Sequence, residues 1–223
     1  MRTFSHPGYK RFLLSVGCLL SIHFTALFFL TLFRLVFFFS ANYDFPDQEH
    51  VGFMSIWPAF IRGVWFDNVI ACYILLIPLV AVSISALFNY YGKILWNVTC
   101  IFFSLFYGIV LLVTAANIPY FQYFFKIINS SVFNWFGYMN TTAGMVFGET
   151  SYYPPLIGFL LTLVLFIWLM RRLIRHFQRL LNTKNPSVFW LDRIYIFLTA
   201  GICIGLCLFG IRGRTGYNPI KVS

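Results

Sequence analysis

Three of the few charged residues in this sequence lie where a charge is costly. Arg62 and Asp67 are the first and last residues of the stretch RGVWFD, which lies at the start of a long apolar run. Arg34 lies late in an earlier apolar run. Because charges in such surroundings usually pair with one another, we predict that Asp67 pairs with Arg34, with Arg62, or with both. An arginine that keeps donors to spare could hold a phosphate, whose geometry its planar fork matches. Two interpretations remain open, a clamp between helices and part of a site for lipid headgroups.

Other candidates for contact with lipid headgroups stand near the ends of apolar runs. They are Tyr120, Lys126 and Glu149, with Arg212 and Arg214 in a linker after the last run. The acidic residues are scattered, and no Asp, His and Glu have the spacing of a metal site. The sequence therefore offers no catalytic residue and no metal ligand.

The composition predicts a membrane protein. Of the 223 residues, 60% are hydrophobic, 22% are aromatic and 10% are charged, whereas a soluble domain is about 45–50% apolar and about a quarter charged. The bilayer must therefore act as solvent for much of the surface, which favours an all-α polytopic fold. The net charge of +10 is interpreted as basic residues flanking the spans, not as a nucleic-acid surface. The five cysteines lie inside apolar runs without any CxxC pair and are interpreted as small buried apolar groups.

Five apolar runs are predicted to cross the bilayer as helices, at about 1.5 Å per residue. The predicted spans are 12–39, 66–88, 94–116, 156–170 and 194–211. Pro78 lies inside the second and could kink it. In the last span, GICIG from Gly201 to Gly205 is a small-xxx-small pattern that predicts close contact with another helix, either of the same chain or of a second copy in a dimer.

The distribution of lysine and arginine predicts the orientation. With the N-terminus in the cytoplasm, the inner side carries ten cations and one acid, Asp192, and the outer side carries six cations and five acids. Because cytoplasmic segments are enriched in lysine and arginine, we predict a cytoplasmic N-terminus and an external C-terminus.

Three connecting segments have their own patterns. Residues 117–155 form an aromatic connector with only two charges, predicted to lie on the outer face as short amphipathic helices. Residues 171–184 form a basic amphipathic segment, either a helix lying on the anionic inner leaflet or only a positive-inside stop signal. Gly63 is predicted to allow a sharp turn from the interfacial segment SIWPAFIR into the second span.

In the order and spacing of these motifs, nearly the whole chain resembles the N-terminal membrane domain of lipoteichoic acid synthase-like phosphoglycerol transferases of the sulfatase superfamily. The motifs are Arg34 late in the first span, RGVWFD before the second, NIPYFQYF after the third and IRGRTGYNPI after the fifth. Members of that family often have an acidic residue at the position of Asn117. The last motif is similar to the linker that leads to their extracellular catalytic domain.

The resemblance implies a function for the chain. In that family five helices anchor a large outer domain, which uses a threonine nucleophile and a divalent metal (Mn, Mg or Zn) to move phosphoglycerol from phosphatidylglycerol to an acceptor. Related enzymes move phosphoethanolamine or hydrolyse sulfate. This chain ends at Ser223, where such a domain would begin, and residues 212–223 would be the linker. The expected function is a bacterial membrane anchor that presents anionic phospholipid to a sulfatase-like domain in cis or in trans.

Two other functions are weighed against the anchor. A small transporter or channel subunit usually carries polar residues at mid-membrane depth, and His23 is the exception to the apolar character of these spans. A lone histidine there is more often a packing residue than a proton relay. A membrane-embedded transferase would need a convergent acid–base or metal set, and the outer candidates Glu149, Asp67 and His50 show no recognisable spacing.

Overall fold

The apolar runs of the sequence form five long helices. The computed structural model describes residues 7–43, 53–124, 126–129, 144, 148, 150–181 and 190–212. The helices are α1 (Pro7–Tyr43), α2 (Phe53–Leu87), α3 (Lys93–Phe124), α4 (Tyr153–Leu181) and α5 (Trp190–Arg212), with a 3₁₀ turn (Thr150–Tyr152) before α4. Each helix is long and apolar enough to cross a membrane, and no strand occurs in the described residues. The all-α polytopic fold class is confirmed, and the chain is a multi-pass membrane protein.

The helices extend beyond the predicted spans, and this changes the interpretation of the connecting segments. α2 runs without interruption through Gly63 and Pro78, so the predicted sharp turn at Gly63 is wrong. A continuous helix keeps backbone hydrogen bonds internal where lipid supplies no partner. α3 continues to Phe124, so the first part of the connector 117–155 is helical, and most of the rest lies outside the described residues.

The basic segment 171–184 continues α4 as far as Leu181. Its apolar side packs on the bundle: a Cβ built on Gly17 of α1 would lie 3.6 Å from the ring of Phe177. Ile174 and Leu181 are buried as well. At least part of its apolar face therefore contacts protein and not the inner leaflet.

α1 lies at the centre of the bundle and contacts each of the other four helices. Arg11 contacts Leu181, and Tyr9 contacts Tyr195, so the start of α1 lies beside the end of α4 and the start of α5. We call this the N-terminal end of the bundle. At the opposite end, the C-terminal end, Gln122 of α3 donates a hydrogen bond to Ser40 of α1 at 3.0 Å. The five helices thus cross the bundle five times, and α5 ends at the end opposite to the start of α1.

Aromatic rings fill the core between α1, α3 and α4. Phe166 meets Phe29 edge-on at 6.2 Å between ring centroids and Tyr107 at 5.5 Å. Phe103 stacks on Tyr107 at 5.6 Å. Such offset and edge-on pairs are favoured over face-to-face sandwiches. Large apolar side chains also cover the outside of the helices, Phe24 being 65% exposed, as expected where lipid is the solvent.

Hydroxyl groups inside the helices bond to their own backbone. Ser15, Ser21, Thr25 and Ser83 each donate to the carbonyl four residues earlier, at 2.7–3.0 Å. A hydroxyl without a partner would be costly in lipid, and this local bond satisfies it. These residues therefore fit into membrane spans without a partner on another helix.

Glycines show where α5 packs closely and where it does not. A Cβ on Gly210 would lie 2.8 Å from Sγ of Cys72 on α2, so α5 and α2 touch there. Gly201 and Gly205 would meet no described atom within 4 Å. The prediction that GICIG packs against another helix of this chain is therefore wrong for the described residues, because these two glycines face outward.

The cysteines agree with their interpretation as small buried groups. All five are free thiols, three of them buried and two half-buried. Sγ of Cys207 donates to the backbone oxygen of Cys72 at 3.2 Å. This contact adds to the close packing of α5 on α2.

Candidate functional site

Arg34 and Asp67 form a bidentate ion pair between α1 and α2. Nε of Arg34 donates to Oδ2 of Asp67 at 3.0 Å, and Nη2 donates to Oδ1 at 2.7 Å. The Asp67 side chain is 9% exposed and that of Arg34 is 31% exposed. The predicted pairing of Asp67 with Arg34 is confirmed. This fork-to-fork geometry fixes the plane of the guanidinium as well as its position.

Gly63 makes room for this arginine. Gly63 and Asp67 are one helical turn apart, so they share a face of α2. A Cβ built on Gly63 would lie 2.5 Å from Cζ and 2.8 Å from Nε of Arg34, closer than real Cβ contacts. The glycine is needed because the guanidinium lies directly over its backbone, not because the chain turns.

The ion pair leaves part of the guanidinium available. Arginine carries five N–H groups, of which Asp67 takes one on Nε and one on Nη2. Within the part of the chain that the structure describes, Nη1 makes no hydrogen bond. The side chain is also partly exposed. Arg34 can therefore bind an anion through its outer edge while it stays paired with Asp67.

His23 and Asn68 extend the polar contacts between α1 and α2. A ring nitrogen of His23, Nε2, lies 3.3 Å from Oδ1 of Asn68, and Asn68 directly follows Asp67 in the sequence. His23 is buried. The contact places His23 between α1 and α2, and its interpretation as a packing residue stays a prediction. Sequence reasoning missed Asn68, although its place beside the only acid in the second span was a usable signal.

The other candidate residues that the structure describes lie at the same end of the bundle. Arg62 is exposed on α2, and Lys126 is exposed just after α3. Tyr120 is half-buried on α3, with its ring 4.8 Å from that of Phe124. None of them takes part in the two hydrogen bonds of the ion pair. Arg212 is the exposed last residue of α5, and Glu149 and Arg214 lie outside the described residues.

Asn117 holds the segment after α3 in place through a side-chain hydrogen bond. Its Oδ1 accepts a hydrogen bond from the backbone N–H of Ile128 at 2.9 Å. This bond ties the segment that follows α3 back onto the helix. A carboxylate could accept the same bond, so the local geometry does not require the amide.

The arrangement can bind and orient an anion, but no bond-breaking step follows from it. In the described part of the chain, no three His, Cys, Asp or Glu side chains are grouped so as to hold a metal ion. The resemblance places its divalent metal in a separate catalytic domain, and that expectation stays a prediction. No protein-family model, no curated protein and no solved structure matches the chain.

Proposed function

We propose that this chain is the membrane anchor of an extracytoplasmic phosphotransferase and that it holds an anionic phospholipid at its C-terminal end. The observation that carries the proposal is the Arg34 guanidinium, fixed by Asp67 and still able to donate from its outer edge. In the proposed orientation this end faces the outside of the bacterial cytoplasmic membrane, where a sulfatase-like domain would work.

The ion pair would act as a preorganised headgroup contact. Asp67 holds the guanidinium in place, so little side-chain freedom is lost when a lipid phosphate binds. Arg62, which precedes Gly63 and is exposed on α2, adds a second positive charge at the same end of the bundle. An arginine next to a phosphodiester offers charge-assisted hydrogen bonds, which are stronger than neutral ones.

The anchor would contribute to catalysis by position. A catalytic domain tethered beside the lipid meets its substrate at a high effective concentration, and a held headgroup removes part of the entropy cost of reaction. By resemblance, the threonine nucleophile and the Mn, Mg or Zn ion belong to that domain, supplied in cis or in trans. Phosphoglycerol and phosphoethanolamine are the groups proposed for transfer.

Arg62→Gln is expected to weaken contact between phosphatidylglycerol and the C-terminal end of the bundle by about tenfold, the effect of losing one charge-assisted hydrogen bond. The measurement uses phosphatidylglycerol with a photoreactive headgroup in nanodiscs and maps the cross-linked peptides by mass spectrometry. Wild-type protein should cross-link in the peptides around Arg34 and Arg62. The variant should fold normally because Arg62 is exposed.

Arg193→Gln is the matched control, since Arg193 is an exposed arginine at the opposite end of the bundle. It should leave cross-linking at the C-terminal end unchanged. Equal yields in wild type and Arg62→Gln would contradict a headgroup contact by Arg62. The absence of cross-links around Arg34 in wild-type protein would contradict the headgroup role and leave Arg34–Asp67 as a helix clamp alone. Solute flux through liposomes containing the purified chain would instead support the transporter or channel alternative.

A further inference from the structure

A cavity of about 530 Å³ opens at the N-terminal end of the bundle, far from the Arg34–Asp67 pair. It lies between the start of α1, the turn joining α2 to α3, the start of α3 and the end of α4. Its volume falls within the range of about 300–1,000 Å³ typical of small-molecule sites. The cavity is therefore large enough for a phosphate-bearing group.

Positive charge dominates the cavity wall. Four of its lining residues are cations, namely Arg11, Lys93, Arg175 and Arg179. No carboxylate is among the described residues that line it. Like charges gathered around a concave surface raise the local concentration of anions, so the wall favours an anionic occupant.

Arg11 is held as a fixed part of this wall. It is only 8% exposed, and its Nη2 donates to the backbone oxygen of Leu181 at 2.8 Å. Its guanidinium also lies over the ring of Tyr91, 5.8 Å from the ring centre. The carbonyl at the end of α4 carries partial negative charge, and Arg11 offsets it inside the cavity.

Two buried donors at the cavity have no hydrogen-bond partner among the described residues, Nε1 of Trp96 and the hydroxyl of Tyr91. Trp96 is 1% exposed, and an indole N–H can only donate. Burial raises the pKa of Tyr91 to about 12, although the nearby Arg11 acts to lower it. The phenol is therefore neutral at physiological pH and can donate its hydrogen. Both groups lack an acceptor that an anion would supply.

The turn before α3 brings backbone donors to the same place. α2 ends in a Schellman motif: Asn89 N–H bonds to Ala86 O at 3.0 Å, and Tyr90 N–H bonds to Ser85 O at 2.8 Å. Asn89 takes the left-handed conformation that this motif requires, with φ of 53°. α3 then begins at Lys93, so the unpaired N–H groups and positive dipole end of that helix lie at the cavity wall.

We propose that this cavity binds a phosphate group through Lys93, Arg179 and the indole N–H of Trp96. The phosphate belongs either to an anionic lipid of the adjacent leaflet or to a soluble phosphate compound. Oδ1 of Asn89 is also buried without a partner in the described residues. It accepts a hydrogen bond from a hydroxyl of the bound group. This site is separate from the C-terminal end and does not depend on the function proposed above.

A general attraction to anionic lipid does not account for these features. Positive-inside residues need only lie on the surface, and they require no buried donor behind them. Trp96 is buried and lines the same cavity as the cations, and its N–H lacks an acceptor among the described residues. A buried N–H without a partner costs about 1–3 kcal/mol, and a phosphate oxygen would remove that cost.

The test has two arms that distinguish the source of the phosphate. In the first, detergent-solubilised protein is unfolded by heat at increasing inorganic phosphate and constant ionic strength, and the rise in Tm gives a Kd because a ligand of the folded state stabilises it. In the second, the photoreactive phosphatidylglycerol is mapped in nanodiscs for cross-links at residues 91–96 and 175–181. Saturation in the first arm identifies a soluble ligand, and cross-links in the second identify a lipid.

The decisive comparison uses two double variants with the same change of charge. Lys93→Gln with Arg179→Gln removes two cations that line the cavity, and Lys10→Gln with Arg193→Gln removes two exposed cations at the same end that do not line it. The double variant at Lys93 and Arg179 should raise the Kd, or lower the cross-link yield, at least about tenfold. The control double variant should change the Kd or the yield less than about twofold. Trp96→Phe should weaken binding several-fold although it leaves all four cations of the cavity in place.

Equal effects of the two double variants would overturn the proposal, because binding would then follow surface charge alone. The absence of saturable binding in both arms would overturn it as well. If Trp96→Phe kept full affinity, the indole N–H would not contact the phosphate, and the proposed site would be contradicted. The surface positions of the four glutamine substitutions keep the comparison independent of folding.

Discussion

Asp67→Asn is expected to lower the free energy of unfolding by about 2–3 kcal/mol. Breaking a buried ion pair by removing one partner costs about 3–5 kcal/mol, because the other charge stays buried and unpaired. We expect less here, since the Arg34 side chain is 31% exposed and can be partly solvated. The measurement is unfolding in mixed detergent micelles with increasing denaturing detergent, followed by circular dichroism.

A double-mutant cycle separates the pair from its members. Arg34→Gln with Asp67→Asn should cost less than the sum of the two single variants, since neither charge is then left alone. A coupling energy of about 1–2 kcal/mol is expected for residues in direct contact. If the losses of unfolding free energy in the two single variants were additive, the two side chains would stabilise the bundle separately, and the clamp would be rejected.

Gly63→Ala is expected to destabilise the protein by about 1–3 kcal/mol, the usual cost of inserting atoms into a filled site. Replacing a glycine inside a helix with alanine usually stabilises the protein, because alanine is favoured over glycine by about 1 kcal/mol there. The reversal follows from the Arg34 guanidinium, which occupies the space of the new methyl group. The same detergent titration gives the change in free energy.

Gly201→Ala and Gly205→Ala are the matched controls, since both glycines lie inside α5 with open space around the built Cβ. They should be neutral or stabilising. The cost of Gly63→Ala should also shrink in the Asp67→Asn background, where Arg34 is free to move. If Gly63→Ala stabilised as much as the controls, the close approach of Arg34 to α2 would be contradicted.

The sequence was sufficient for the features that depend on run length and charge. Five apolar runs predicted five helices, and the cost of a charge in lipid predicted that Asp67 finds an arginine. The sequence left Arg34 and Arg62 open as that arginine, and the structure shows that Arg34 is the partner. Both arguments need only the rise of a helix and the polarity of the bilayer.

The sequence was not sufficient for features that depend on how each helix is rotated. In water the apolar face of a helix identifies the packed side, but in lipid both faces are apolar. For this reason GICIG was assigned to a helix contact that the described residues do not make, and the role of Gly63 was misassigned to a turn. The cavity around Trp96 was missed because three separate segments form it.

The two ends of the bundle thus carry different arrangements for anions. At the C-terminal end one arginine is fixed by a carboxylate and offers its outer edge. At the N-terminal end four cations line a cavity together with buried donors that lack acceptors in the described part of the chain. The proposed anchor function depends on the first end facing outward, where lipid donors of an external transferase are found.

Thiol labelling of the two termini tests that orientation most directly. Thr3→Cys and Ser223→Cys are compared in intact and permeabilised cells with a membrane-impermeant maleimide, against the parent chain, whose five cysteines lie within the helices. We predict that Ser223→Cys is labelled in intact cells and that Thr3→Cys is labelled only after permeabilisation. Labelling of Ser223→Cys only after permeabilisation would place the Arg34–Asp67 end in the cytoplasm and rule out the proposed anchor for an external transferase.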